Sequence, residues 1–387
     1  MLLSHISDLH LGYSQFNIEE REEDVYENFR EAVDVSVKEG VNLVVLAGDI
    51  FHSPRPNGKA IATLANVLKK LKEEQIPVAF VLGEHDMSRI RDVPLPLVFS
   101  SLGLAKRLRP DEAFQVDNCV LVGIDKERKS NIETLVEKLQ QAEHTANLSS
   151  PSSHNKRVIV LHQGLIDNNR FAGEISSADL PKTFNYYAMG HYHDHFEKRF
   201  DYLGGPLAYP GSLDLTPSEG IKEVDKGFII TDISGEEPSI QWIKLQNRRL
   251  QFSITIDYSD IARQVTAIIE KAKNSKKKPV VSIQVAGKEI DSKGIANRLV
   301  ALNDSCLHYV WRPAEEQGQP LSVYDGKPVD IDQELYRLAK EILKSEEMAK
   351  FAVGEILPFA AEGDASAVLD IVWKVFKKAK FRRDQEI

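Results

Sequence analysis

Cysteine is nearly absent: Cys119 and Cys306 are the only two in 387 residues, which excludes a disulfide framework and a cysteine-built metal site. Both are expected to be reduced and structural. No stretch approaches the roughly 18 consecutive apolar residues of a bilayer-spanning helix, and Met1 to His5 carries no basic leader. A cytoplasmic address without a membrane partner is the expectation. Basic residues do not prevail either: 49 lysines and arginines stand against 58 aspartates and glutamates. A net charge of -9 and a pI of about 5.7 argue against a surface coated for nucleic acid. Arg248-Arg249, Lys276 to Lys278 and the run from Lys374 to Arg383 remain as local basic candidates, although such runs are usually solvated faces. No solenoid repeat is present. With 42% hydrophobic and 28% charged residues the chain should fold, and its length allows more than one domain.

What the chain does have is five apolar runs that each stop in metal-ligand chemistry. Val41 to Ala47, apolar apart from Asn42, leads into Gly48-Asp49-Ile50-Phe51-His52. The run ending at Ile6 leads through Ser7 into Asp8-Leu9-His10, Val78 to Leu82 into Gly83-Glu84-His85-Asp86, Arg157 to Leu161 into His162, and Tyr186 to Met189 into Gly190-His191-Tyr192-His193. Continuous apolar runs suit strands covered on both faces of an α/β sheet, and functional groups collect beyond the ends of such strands.

Helical periodicity covers Arg21 to Lys38, stopped by Gly40, and a second helix carries Ile61, Leu64, Leu68 and Leu71 on one face. Leu97 to Leu102 reads as a short apolar helix and Ile132 to Glu143 as a longer one, followed by a loose Ser/Asn-rich connection over Asn147 to Asn155. Short strands up to about residue 246 have the look of an antiparallel edge closing a sandwich. Phe252 to Arg312 alternates strand and helix as a compact α+β unit. Glu315 to Asp330 reads as a linker. Beyond it lie two amphipathic stripes, Ile331-Leu335-Leu338-Ile342 and Val368 to Ala379, the second capped by Asp364. The expected divisions are therefore 1–250, 251–314, linker 315–330 and helical segment 331–387.

Hydrolysis of a phosphodiester needs an activated water and neutralisation of a highly charged transition state. Two metal ions about 3.5 to 4 Å apart supply both, provided a carboxylate bridges them. Asp49 is the natural bridge, with Asp8 and His10 reaching one ion and His162 and His191 the other. Spacing of two residues places Asp8 with His10, and His191 with His193, on the same side of an extended segment. Mixed imidazole and carboxylate ligation admits manganese, iron or zinc and disfavours magnesium or calcium alone. A lone histidine is more often a structural residue than a ligand. Six of eleven falling at strand ends outweigh that bland reading, whereas His5, His144, His154, His195 and His308 are expected to be structural or exposed.

These motifs resemble the calcineurin-like metallophosphoesterase superfamily. Ser7 to Gly12, Ala47 to His52, Leu161 to Gly164, Gly190 to His193 and Tyr209-Pro210-Gly211-Ser212 resemble, more narrowly, the archaeal DNA double-strand-break repair nucleases of the meiotic recombination eleven and SbcD type. The resemblance implies an α/β fold: a calcineurin-like metallophosphoesterase β-sandwich flanked by helices, a small α+β DNA-capping domain, and a C-terminal helical partner-binding segment. It implies a manganese-dependent exonuclease and single-strand endonuclease acting on DNA ends. The partner would be an SMC-like ABC-type ATPase bound through the C-terminal helices. A homodimer would form through the helices near Ile61 to Leu71 and Leu97 to Leu102. Asp8, His10, Asp49 and His193 would hold one Mn2+, and Asp49, Glu84, His162 and His191 the other. His85 would aid the leaving group and His52 would place the phosphate, the plain alternative for His52 being an ordinary loop histidine.

One residue departs from the family pattern, which usually has asparagine where this chain has Glu84. At an effective dielectric of about 20, two unit charges 4 Å apart interact by about 4 kcal/mol, so an unneutralised Glu84 would repel a phosphodiester. Bound to an ion it would instead tighten metal binding. Two other functions share some of these residues. A metallophosphatase or small phosphodiesterase would share the dimetal set, but protein phosphatases would carry an arginine motif after Asp49, and Ile50-Phe51-His52-Ser53 follows here. A DNA-end-binding scaffold with weakened catalysis would fit Glu84 but not the intact His85.

Overall fold

The computed structural model describes residues 1–88, 93–150, 155–170, 173–287, 291–314, 331–357, 360, 368–369 and 371–373. The chain divides into two compact units, Met1–Gln163 with Ala178–Gln317, and Gly164–Ser177 with Gly318–Ile387.

The first unit is built on a sandwich of two six-stranded sheets. Strands β1 (Leu2–Ile6), β2 (Leu43–Ala47) and β3 (Val78–Val81) run parallel at the centre of the first sheet. β4 (Lys106–Arg107) extends it on one side; on the other, β11 (Gly227–Asp232) pairs antiparallel with β1, and β12 (Ser239–Lys244) pairs antiparallel with β11. In the second sheet β6 (Cys119–Ile124), β7 (Lys156–His162) and β8 (Tyr186–Gly190) are parallel. β5 (Phe114–Val116) edges one side, and β10 (Leu207–Tyr209) followed by β9 (Phe196–Lys198) edges the other. The strands after β8 therefore do not form one antiparallel edge as their sequence suggests. They divide between the sheets, and β10 lies parallel to β8. Short apolar segments carry no information about their partners, so this division is a tertiary result.

Layering follows from which faces are apolar. Leu3, Val45, Ala79 and Val81 of the first sheet bury against Leu121, Val158, Val160, Ala188 and Ala208 of the second. The outer face of the first sheet buries against α1 (Glu19–Lys38) and α2 (Gly58–Glu73), through Tyr26, Phe29 and Val33 of α1 and Leu64, Leu68 and Leu71 of α2. Full burial of such side chains contributes roughly 1.5–3 kcal/mol each. Asn57 caps α2 by accepting the Ala60 N–H at 2.9 Å. α3 (Pro96–Ser101) follows, and α4 (Ile132–Ser149) places Leu135, Leu139 and Ala142 in the interior beside β6. α4 runs into the Ser/Asn-rich stretch that reads as a loose connection in sequence. With helices on the sandwich, strands buried on both faces read as unbroken apolar runs, which is why their ends were legible.

A three-stranded parallel sheet of β13 (Gln251–Asp257), β14 (Val280–Ala286) and β15 (His308–Pro313) forms a separate layer with α5 (Ile261–Lys273) and α6 (Ser292–Leu299). It has its own core of Phe252, Ile256, Val265, Ile268, Val281, Ile283, Ile295 and Leu299. Asp24 of α1 ties it to the sandwich, accepting from Arg249 Nε at 2.6 Å and Lys277 Nζ at 2.8 Å while also pairing with the buried Arg21.

The second unit contains a loop closed by the Leu165–Ile175 bridge, with the Glu174 carboxylate accepting the Gly164 N–H at 2.7 Å. It also contains α7 (Ile331–Leu343) and α8 (Glu346–Phe351), which Ser345 caps. The linker 315–330, Asp364, the stripe residues Val375, Phe376 and Ala379, the basic run from Lys374, and His154 lie outside the described residues. No helix among the described residues is long and apolar enough to cross a membrane.

His5, midway along β1, is fully buried between the Tyr186 hydroxyl, 2.9 Å from Nδ1, and the Met189 carbonyl, 3.1 Å from Nε2. Burial lowers its pKa from 6.5 to about 3, so the folded chain keeps it neutral. The unfolded chain protonates first. This contribution to stability is therefore intact above pH 6.5 and is lost as pH falls towards 3, reaching about 2 kcal/mol at pH 5. In His5→Gln the fall in urea stability between pH 7 and pH 5 should shrink by about that amount. An equal fall in both proteins would refute the assignment.

Candidate dimetal site

The ends of β1, β2, β3, β7 and β8 converge, and the backbone turns through left-handed conformations as it leaves β1, β2 and β8. Asp8, His10 and Asp49 have φ of 52°, 48° and 48°, and His191 has 106°. Non-glycine residues in this region cost on the order of 1–3 kcal/mol each and persist where surrounding structure imposes them. Gly48, at φ 87°, and Gly83 are required for a second reason. A Cβ on Gly48 would lie 2.2 Å from His162 Nδ1, and one on Gly83 would lie 2.1 Å from Asp49 Oδ1.

Two clusters of ligand-type atoms result. In one, His10 Nε2 lies 3.3 Å from His193 Nε2, which lies 3.9 Å from Asp8 Oδ1. In the other, Glu84 Oε2 lies 2.9 Å from His162 Nε2, and Glu84 Oε1 lies 3.0 Å from His191 Nδ1. Asp49 Oδ2 stands between them, 3.9 Å from His10 Nε2 and 3.5 Å from His162 Nε2. All seven sequence candidates for metal binding are thus brought together. The expectation that His191 and His193 project to the same side needs correction: the left-handed turn at His191 breaks the strand alternation and sends the two rings to different clusters.

The donor set fits cations. Asp8 Oδ1 is buried without a hydrogen-bond partner among the described residues, and His162 Nε2 and Glu84 Oε2, although close, make no aligned hydrogen bond. Buried polar atoms left this way are costly unless something binds them. His162 Nδ1 lies 2.7 Å from the Ala47 carbonyl, to which it donates, so a neutral ring presents the Nε2 lone pair to the site. Burial works against charging His162, but Asp49 and Glu84 outweigh it and hold its pKa well above the ordinary value. The carboxylates call for positive charge at that spot. His193 is oriented likewise: its Nδ1 meets Thr216 Oγ1 at 2.8 Å, and that hydroxyl reaches Glu219 Oε2 at 3.1 Å. The buried Lys226 pairs with Glu219 Oε1 at 2.6 Å and also donates to the His193 carbonyl at 2.7 Å.

His85 and His52 lie beside the clusters. The His85 N–H donates to Asp49 Oδ1 at 2.8 Å, and its Nδ1 donates to the His52 carbonyl at 2.9 Å, leaving Nε2 as the ring atom available to a ligand. The His52 ring stacks on His85 with centroids 5.4 Å apart, and its Nδ1 lies 3.5 Å from His10 Nδ1. Burial and the neighbouring His85 push the His52 pKa down to about 4, so it is a neutral hydrogen-bonding group at neutral pH. His5 and His195, bound to the Met189 and Tyr209 carbonyls, are structural, and His144 is exposed.

Asp86 has a part that its sequence position alone did not reveal. Its carboxylate accepts N–H groups from Ile50 at 3.2 Å, Phe51 at 2.9 Å and Gly83 at 3.0 Å, binding the loop after β2 to the loop after β3. Burial, with the Asp49 charge, pushes its pKa up to about 7 against those three bonds. Its bonds run back to Gly83 and across to Ile50 and Phe51, so no local signal marks them, whereas Thr216-x-x-Glu219 is a capping-box signal that could have been found in the sequence.

A two-sheet sandwich whose strand ends gather three carboxylates and four imidazoles around two cation positions defines a metal-dependent phosphoester hydrolase with a dinuclear site. The family model described as calcineurin-like phosphoesterase matches residues 1–195. A protein named DNA double-strand break repair protein Mre11 from Sulfolobus acidocaldarius is 32% identical over 322 residues, covering 80% of this chain and 81% of that one. Its namesake from Sulfurisphaera tokodaii is 31% identical over 337 residues, covering 85% and 83%, and that from Aeropyrum pernix is 27% identical over 402 residues, covering 95% and 94%. The chain belongs to the calcineurin-like phosphoesterase family and, within it, to the archaeal Mre11 group of repair nucleases.

Proposed function

We propose that this protein is a manganese-dependent DNA nuclease that processes the ends of double-strand breaks as an exonuclease and single-strand endonuclease. The observation that carries the reading is the bridging position of Asp49 between the two ligand clusters, with His85 bonded directly to it. Asp8, His10, Asp49 and His193 would hold one ion, and Asp49, Glu84, His162 and His191 the other. When bound, the two cations supply the positive charge that activates water and neutralises the phosphoryl oxygens. The protein's residues do the rest. His85, anchored through its N–H and Nδ1, turns Nε2 to the leaving oxygen and delivers a proton there. His52, neutral and stacked on His85, donates from Nε2 to a phosphoryl oxygen and fixes the orientation of the ester. The hydrogen bonds of His162 to Ala47 and of His193 to Thr216 hold the ligand rings so that loading an ion requires little rearrangement.

The layer from 251 to 314 caps the DNA, and the protein acts as a homodimer through α2 and α3. The segment 331–387 binds an SMC-like ABC-type ATPase. Deleting residues from 331 onward should leave manganese-dependent cleavage of short DNA unchanged while eliminating ATPase association. Calorimetry giving equal partner affinity for the shortened chain would remove that assignment.

Cleavage of plasmid DNA in manganese, compared with hydrolysis of phosphoserine and of a cyclic nucleotide, tests the main reading. DNA should be the substrate cut. Faster turnover of phosphoserine or the cyclic nucleotide would make this a phosphatase or small phosphodiesterase, and DNA binding without cleavage a scaffold. Glu84 bears on metal demand. Glu84→Asn should retain two-ion chemistry but need about tenfold more manganese, because a charge is lost at ligand distance, whereas Glu84→Ala should lose the second ion before the first. Identical manganese titrations of wild type and both variants would mean that Glu84 is not a ligand.

A further inference from the structure

Lys126 has no part in the chemistry described so far, yet it is built into the site. It lies just after β6, where its N–H donates to the Leu82 carbonyl at 2.9 Å and the preceding Asp125 accepts the Leu82 N–H at 2.8 Å. Gln163 Nε2 donates to the Asp125 carbonyl at 3.2 Å. These bonds fasten the loop to the ends of β3 and β7. The residue is only 8% exposed, and Nζ lies 3.3 Å from His191 Nε2. Its positive charge also acts on the Glu84 carboxylate.

The two nitrogens of His191 give this contact its meaning. Nδ1 faces Glu84 Oε1 at 3.0 Å, and Nε2 faces Lys126. An ammonium has three donors and no lone pair, so Nε2 must accept, and a neutral ring then carries its proton on Nδ1, on the side of the Glu84 carboxylate. A cation bound through Nδ1 needs that lone pair. The ring proton would then sit on Nε2, facing the lysine donor to donor. The hydrogen bond from Lys126 and an ion on His191 Nδ1 therefore exclude one another.

We propose that Lys126 is a built-in competitor of the second ion, offsetting the charge of Glu84 and holding His191 in its non-ligating tautomer until an ion displaces it. The proposal rests on the two-ion reading above and deepens it, because it concerns ion affinity rather than the reaction. A neutral residue at position 84 would leave nothing for the ammonium to offset. With Glu84 the second position gains a negative charge, and Lys126 returns its total to that of a site with a neutral ligand. The consequence is unequal loading, with the second ion bound more weakly and last.

Manganese titrations of the full chain without DNA, followed by calorimetry and by the paramagnetic resonance signal of free Mn2+, test this. Lys126→Met should tighten the weaker binding event by about tenfold or more, since a unit charge a few ångströms from the ion is removed, and should leave the tighter event unchanged. Lys126→Arg should keep the wild-type value. Lys126→Gln, which can still donate to Nε2 but carries no charge, should fall between Arg and Met. A folded Lys126→Met chain that binds the weaker ion no more tightly than wild type would overturn the proposal. If Lys126→Met does not fold, Lys126→Gln is judged by the same criterion. A wild-type chain that binds fewer than two ions overturns the two-ion reading and this proposal with it, which separates that failure from one confined to Lys126.

Discussion

Asp49→Ala should abolish hydrolysis, lowering the rate by roughly a thousandfold or more, and should empty both ion positions. Outer-sphere partners of a metal ligand typically account for about 10- to 100-fold, and a carboxylate shared by two ions must account for more. The geometry gives the reason. Asp49 Oδ2 lies 3.9 Å from His10 Nε2 and 3.5 Å from His162 Nε2, between the clusters, while Oδ1 receives the His85 N–H at 2.8 Å. On the proposed two-ion reading, removing the carboxylate would take a ligand from each ion and an anchor from His85. Asp49→Asn separates the two effects, since its amide oxygen can still accept from His85 while the charge is gone. Metal content should fall in both variants. Full nuclease activity in Asp49→Ala, measured beside elemental analysis of bound manganese, would sink the two-ion assignment.

His85→Ala should cut turnover by about a hundredfold or more, the usual scale of general acid catalysis, while leaving both ions in place. The imidazole is held by the His52 carbonyl and stacked on the His52 ring; it also packs edge-on against the His10 ring, with centroids 4.9 Å apart, a contact between rings rather than of the His10 Nε2 atom that faces His193. The backbone N–H that binds Asp49 survives the substitution. The loss should appear in turnover rather than in substrate affinity, and a leaving group of lower pKa should restore part of it, because such a group needs no proton. Loss of both ions together with activity would identify His85 as a ligand instead.

Much of this architecture could be read from sequence because it is local. The unbroken burial of β2 has a physical cause: Leu43, Val44, Val45 and Leu46 are apolar on both faces because helices cover one side of their sheet and a second sheet the other. Helix α1 was legible from its periodicity and its stop at Gly40, whose φ is 66°. Other features had no local signal. β11 lies antiparallel to β1 with Leu2 opposite Asp232, and nothing in either segment names the other. The parting of His191 from His193 depends on a φ of 106° that strand alternation did not anticipate. Lys126 stands in a charged stretch that resembles any solvated loop, and only folding makes it 8% exposed and places it against His191.

By itself the sequence determined the ligand types, their places at the ends of strands, and the helices that cover the sheets, since these follow from side-chain chemistry and from periods of two and 3.6 residues within one segment. Which candidate ligands meet was open to residue spacing and was implied only by the family resemblance; physically it is the tertiary structure that brings them together. His10 and His193 are 183 residues apart and meet at 3.3 Å, and the ring of His162 is set by the carbonyl of Ala47, 115 residues away. Such meetings depend on the register and stacking of two sheets, which are selected by the burial of whole faces rather than by the residues that come to lie at their ends.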